Sequence, residues 1–242
     1  VFAKSDKLKM VTHCRNNAKI YTQAILKEYL AYRILNTLTD NSFRVRLLHV
    51  TYVDNSRDKV VDTNYAFLIE HRDQLAKRLG KEVSRAETTT VGALDGRETN
   101  ISSVFQYLIG NTDFSPIKGA PGGPCCHNYV LLKDDEDKML SIPYDFDVTG
   151  IVDARYAVPN PRFKLRNVRE RLYRGRCANN EYLESSLQLL RDKRQAIYEL
   201  LESVPGLSNK SIKNTRRYID EFYETIDSPK RLDRNIVSKC LK

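Results

Sequence analysis

Between a helical stretch ending at Ile109 and an apolar run beginning at Tyr129, the chain carries Gly110 to Pro124, a segment rich in glycine and proline. Proline removes a backbone donor and glycine gives up the most conformational freedom on folding, so this segment can be neither helix nor ladder strand. That break organises what flanks it. Before it, Ile101, Val104, Phe105 and Leu108 fall at helical spacing, with Asn100 as the expected N-cap. After it, Tyr129–Leu132 reads as a buried strand, Asp134–Asp137 as a turn and Met139–Ile142 as the return strand.

The rest of the chain follows the same rules. Lys7–Val11 reads as a short strand, and Tyr21–Leu38, with Leu26, Leu30, Ile34 and Leu38 four apart, as an amphipathic helix. Phe43–Val53 and Tyr65–Ile69 are expected to pair as strands around a charged turn over Asp54–Asp62. Arg72–Leu79 is a short helix ended by Gly80. Further helices are expected over Asn167–Tyr173, Tyr182–Ser203 and, behind Ser208, Lys210–Ile226. With 242 residues and 41% hydrophobic content, one large domain or two small ones can bury a real core. No apolar run approaches the roughly 18 residues a spanning helix needs. Strands gathered early and helices late imply an α+β fold: a small sheet-containing lobe, residues 1–71, and a larger, mostly helical one, residues 72–242.

Polar chemistry concentrates in Gly110–Gly150. Asp113 follows a helix, Asn128 opens the hairpin, and Asp145 and Asp147 follow its return strand. A hairpin brings its ends together, so Asn128 and Asp145 are expected to be neighbours. Amide and carboxylate oxygens are hard ligands suited to Mg²⁺ or Mn²⁺ holding phosphates, and a further aspartate can accept a hydroxyl proton. The order is that of phosphoryl-transfer enzymes of the kinase type: base Asp, metal Asn, hairpin, metal Asp. Lys9 on the first strand and Glu28 on the following helix supply the pair that positions nucleotide phosphates; strand register leaves Lys7 nearly as good. Tyr65–His71 would then be the hinge, with backbone at Glu70, His71 and Arg72 pairing with the adenine.

In these residues the chain resembles the CotH-like kinases, an atypical protein-kinase-like family of spore coats, and more remotely HipA-type and phosphoinositide kinases. The matching segments are His127-Asn128-Tyr129 before the hairpin and Pro143-Tyr144-Asp145-Phe146-Asp147 after it, with Asp113 upstream, over roughly Lys7–Gly150. The resemblance implies a two-lobed kinase-like fold and ATP- and Mg²⁺- or Mn²⁺-dependent transfer of the γ-phosphoryl group to a hydroxyl acceptor on a protein. It makes Asp113 the catalytic aspartate, Asn128 and Asp145 the metal ligands, Asp147 a further metal or structural candidate, and Lys9 with Glu28 the nucleotide pair. The chain departs from the family in placing fourteen residues between Asp113 and Asn128 and in having no glycine-rich phosphate loop before Lys9. It starts Val-Phe-Ala without Met, so an N-terminal segment is expected to have been removed.

Lys and Arg number 40 against 31 Asp and Glu, a formal net charge of +9. The basic run Arg162–Arg176 follows the Asp145 loop, which makes Arg169, Arg171 and Arg174 candidates for an acidic or phosphorylated acceptor. Three alternatives stand beside this reading. One is an inactive pseudokinase that keeps the nucleotide site. A second is a basic nucleic-acid-binding protein, although no recognition signature is present. A third is a zinc site built from His13-Cys14 and Cys125-Cys126-His127, which lacks the CxxC spacing of strong zinc motifs. Five cysteines are odd in number and too sparse for a disulfide framework, and lean towards a reducing compartment.

Overall fold

A computed structural model describes residues 7–15, 18–120, 123, 125–133 and 138–242. Lys9–Val11 (β1), Lys19–Leu38 (α1), Val45–Asp54 (β2) and Lys59–Ile69 (β3) come first. They form an antiparallel sheet of order β1-β3-β2, in which Ile69 lies opposite both Lys9 and Val45. The paired strands run further than the charge pattern suggested. Asp54 and Lys59 still pair, so the turn is only Asn55–Asp58. Ladder bonds and alternate-face burial hold residues that composition alone assigns to a loop.

Helix α1 buries Leu26, Leu30, Ile34 and Leu38 on one side, together with Glu28, Tyr29 and Tyr32. It packs on β3, where Phe67 meets the rings of Tyr29 and Tyr32. Arg72–Leu79 (α2) ends at Gly80, whose φ of 67° is the left-handed stop that a glycine takes without strain. Glu82–Val83 (β4), a two-residue strand with no periodic signal, adds to the edge of Tyr129–Lys133 (β5), which pairs with Met139–Pro143 (β6). The Asp134–Asp137 turn lies outside the described residues. Gly96–Ile109 (α3) starts earlier than expected: Asp95, not Asn100, is its cap and accepts from the Glu98 amide. Asn100 is buried inside the helix and donates to the Asn179 carbonyl instead.

The helical remainder needs two corrections. Asn167–Tyr173 is loop, because the Asn167 side chain takes the Arg169 amide and Arg171 reaches out to other elements, so local propensity loses to tertiary bonds. Tyr182–Ser203 is broken into Leu183–Asp192 (α4) and Arg194–Ser203 (α5) at Lys193, which sits at φ −89°, ψ 0°. Asn209–Ile226 (α6) starts behind the Ser208 cap as expected, and Pro229–Asn235 (α7) follows. Among the described residues the chain is thus α+β, with two small antiparallel sheets and seven α-helices. One buried apolar cluster runs through it, from Leu26 and Phe67 through Phe105 and Phe146 to Leu187 and Ile219.

Two close contacts set the loops around the hairpin. Gly110 ends α3 at φ 66°, and the chain after the hairpin crosses it, with the Gly150 amide donating to the Gly110 carbonyl and the Ile151 amide to Ile109. The Tyr218 hydroxyl from α6 fills the space over both glycines and donates to the Arg169 carbonyl. Near the far end, Cys177 and Cys240 form a disulfide, beside backbone bonds that join Leu241 to Gly175 and Cys177. Cys125 and Cys126 are also joined, which leaves Cys14 as the free thiol, so the chain carries two disulfides where the sparse cysteines suggested no framework. The lean towards a reducing compartment loses its support.

The Cys177–Cys240 bond closes a loop spanning 63 positions, for which chain entropy predicts a stabilisation of about 4 kcal/mol. Cys177→Ser/Cys240→Ser is expected to lower unfolding free energy by about that amount in urea titrations, and reduction of the wild type should reproduce it.

Candidate functional site

The register Tyr129↔Pro143 and the Tyr144 amide donating to the Asn128 carbonyl (3.0 Å) put Asn128 and Asp145 side by side at the open end of the β5–β6 hairpin. Both have left-handed backbone, with φ 57° and 64°. Non-glycine residues hold that conformation at a cost, and asparagine and aspartate bear it best. The amides at this bend are paired across to α1. Asp145 donates to the Tyr32 hydroxyl (2.9 Å), and Phe146 to the Glu28 carboxylate, one helical turn away. The Phe146 ring is buried between Tyr32 and Phe105.

Asp113 reaches the same place across its long connection. Ser115 and His127 exchange backbone hydrogen bonds of 2.9 and 3.1 Å, which closes the glycine- and proline-rich loop at its base. Asn128 Nδ2 then donates to the Asp113 carbonyl (2.7 Å) and to Oδ2 (3.3 Å), while His127 Nε2 lies 2.8 Å from Oδ1. These bonds orient the Asn128 amide so that its Oδ1 is left without a donor among the described residues. Asp147 accepts from the Tyr156 hydroxyl at 2.9 Å.

Charge is crowded here. Burial raises the Glu28 carboxyl to about 8, helped by Asp147 and Asp145; Lys9 and the Phe146 amide offset only part. Burial, then Asp147, likewise raises Asp145, with Lys9 opposing. Lys9 acts on both through space; no ion-pair contact joins it to either among the described residues. Lys9, Glu28, Asp145 and Asp147 line a cavity of about 330 Å³ together with Val152 and Tyr156. A second cavity, of about 290 Å³, also lined by Lys9, lies among Phe43, Ile69, Val130 and Tyr144, with Glu70, His71 and Arg72 in its wall. Among the described residues no three histidine, cysteine, aspartate or glutamate side chains are grouped to hold a metal by themselves.

The remaining candidates sit elsewhere. The Glu70 carboxylate is buried on Arg78 (3.0 Å) and the Arg44 amide, and its own amide donates to the Arg44 carbonyl, so it contributes wall rather than a pairing group. His71 caps α2. Arg171 does not face a ligand. Its guanidinium bonds the Tyr107, Leu108 and Tyr218 carbonyls and lies 3.6 Å over the Tyr218 ring, with 9% of the side chain exposed. Arg169 is likewise spent on Gly150, Asp153 and the Tyr218 ring. Arg174 alone of the three borders Asp113, with its Nη1 on the Thr112 and Phe114 carbonyls. The zinc alternative fails at sulfur, since Cys125 and Cys126 are bonded to each other and His13 pairs with Asp62 at 2.8 Å.

Reading the residues alone misses Tyr32, Lys27 and Tyr156. Tyr32 carried a signal, its placement one turn after Glu28 on the same face. Lys27 donates to the Val152 carbonyl and ties α1 to the loop after Asp147. The chain matches no family model, no curated protein and no solved structure.

Two outcomes follow from these placements. Arg171→Leu strips donors from the α3 C-terminus and should cost about 2–4 kcal/mol of stability in denaturant melts, with Arg171→Lys recovering only part. Burial lowers the Lys27 ammonium to about 8, so between that pH and 10.5 the unfolded chain holds a proton the folded chain has released. Stability attributable to Lys27 must therefore rise with pH across that window. Melting temperatures of wild type minus Lys27→Met, taken at pH 7 and pH 10, should increase accordingly.

Proposed function

We propose that this chain is an atypical, protein-kinase-like phosphotransferase that binds ATP with Mg²⁺ or Mn²⁺ and transfers the γ-phosphoryl group to a hydroxyl acceptor on a protein. In this reading residues 1–71 form the smaller lobe and 72–242 the larger. The observation that carries it is the meeting of Asp113, Asn128 and Asp145 at one hairpin end, across fourteen intervening residues, beside Lys9 and Glu28.

The two cavities that share Lys9 suit a nucleotide. The apolar one between Phe43, Ile69, Val130 and Tyr144 fits adenine, with the His71–Arg72 backbone at its rim, and the acidic one fits the phosphates and their metal. The donor set is compatible with a small divalent cation: the free Asn128 Oδ1 and the Asp145 carboxylate are hard oxygens, and such ions fill their remaining positions with phosphate oxygens and water. A bound Mg²⁺ or Mn²⁺ would supply charge neutralisation between the β- and γ-phosphoryl oxygens. Lys9 would hold the α- and β-phosphates, Asp113 would orient the acceptor hydroxyl and take its proton, and His127 would keep the Asp113 carboxylate in place. Asp147, held by Tyr156, would contribute negative potential towards the metal.

Melting temperature with ATP tests this directly. A ligand bound only by the folded chain at about 100 times its Kd adds about 2.7 kcal/mol, so millimolar ATP should give a clear rise that requires Mg²⁺ or Mn²⁺ and disappears in Asp145→Ala. No rise would overturn the nucleotide site. A rise without ATP turnover would make the chain a pseudokinase, and metal-independent binding of nucleic acid that falls steeply with salt would favour the nucleic-acid alternative.

A further inference from the structure

Asp113 lines a further cavity, of about 410 Å³, whose charge is unbalanced. Its walls carry Lys118, Arg162, Arg174 and Arg176, and Asp113 is the only carboxylate among its lining residues. Arg174 is its fixed floor, clasped between the rings of Phe114 and Phe163 at 4.6 and 4.7 Å and bonded to the Thr112 and Phe114 carbonyls. Its Nε is buried without a partner among the described residues. Arg176 gives one N–H to the Lys242 carbonyl at 3.1 Å. Arg162 and Lys118 are exposed, and among the described residues neither side chain meets a carboxylate. Burial, and after it Arg176 and Arg162, push the Arg174 guanidinium towards losing its proton.

Unpaired cations around one cavity raise the local concentration of anions and strengthen their hydrogen bonds where water is thinned. Here they come from three separate backbone segments, 118, 162 and 174–176, so the positive charge is spread over several parts of the wall. That spread matches a ligand whose own negative charges are distributed along a chain. We propose that this cavity is the acceptor subsite and that it takes an acidic peptide, a serine or threonine flanked by glutamate or aspartate. The inference rests on the phosphotransferase reading for its chemistry. The serine hydroxyl oxygen forms a bond to the γ-phosphorus of ATP, the bond to the β–γ bridging oxygen breaks, ADP leaves, and the hydroxyl proton passes to Asp113.

Binding is measurable without nucleotide, which separates this inference from that reading. Fluorescence anisotropy on the full chain would use a labelled peptide with one serine among glutamates, and its glutamine counterpart as control. The glutamate peptide should bind about tenfold or more tighter, lose affinity as salt rises, and lose about tenfold in Arg162→Ala/Arg176→Ala. Lys118→Ala should act in the same direction, and Arg162→Lys/Arg176→Lys should recover part, with far-ultraviolet circular dichroism confirming that each variant is folded. Equal affinity for the two peptides, an unchanged Kd in the double variant, or displacement of the peptide by inorganic phosphate at lower concentration would each overturn the acidic-peptide subsite. Peptide binding that behaves as expected in a chain that gives no ATP-dependent melting shift would uphold the subsite and remove the transfer reading instead.

Discussion

Two side chains one turn apart on α1 hold two successive backbone amides of the bend after β6. Tyr32 accepts from Asp145, and Glu28 from Phe146. Neither amide has a ladder partner at that point, and an unpaired buried donor costs about 1–3 kcal/mol, so the bend keeps its left-handed Asp145 only while α1 is docked. Docking in turn is driven by the apolar side of the same helix, Leu26, Leu30 and Ile34 on the common core, and by the Phe146 ring against Tyr32 and Phe105. Helix, hairpin and sheet are therefore positioned by one another, and Lys9 comes to face the carboxylates because β1 is carried on β3 beneath α1.

That arrangement concentrates negative charge where folding alone would disperse it. Glu28, Asp145 and Asp147 line one cavity with Lys9, Asp113 adds its charge to Asp145, and the buried Glu28 responds by holding its proton up to about pH 8. Like charges brought together without compensation lower stability, and groups perturbed by burial plus named neighbours inside a cavity are the usual mark of a functional site. In the cavity that Asp113 itself lines the imbalance has the other sign, with three arginines and a lysine against that one carboxylate.

Much of this was legible in the residues and some could not have been. The hairpin, the Gly80 stop and the Ser208 cap follow from local chemistry, turn residues and periodicity, and local chemistry is what a sequence displays. The proximity of Asn128 and Asp145 follows from a hairpin having two ends. Contacts across distant segments are different. Nothing about Arg171 distinguishes an arginine that binds an anion from one that plugs the end of α3, because the deciding carbonyls belong to Tyr107, Leu108 and Tyr218. The loop at Asn167–Tyr173 is hidden for the same reason, and so is the Cys177–Cys240 disulfide, because adjacency in space, not spacing in sequence, pairs cysteines 63 positions apart.

The Tyr218 hydroxyl stands where a β-carbon on Gly110 or Gly150 would have to be, at 1.9 and 2.1 Å from those positions. The three residues come from α6, the end of α3 and the loop after the hairpin, yet sterically they behave as one site. Related sequences should vary there as a set: a side chain at 110 or 150 is admissible only with a shorter residue at 218, and at 110 it also meets the positive φ. Gly150 is held more tightly still, since the Val168 carbonyl lies 2.9 Å from its missing β-carbon and backbone cannot be traded away by substitution. Such a triplet would be a sensitive marker for recognising distant relatives, more durable than the surface arginines around it, because it records where three pieces of backbone pass each other.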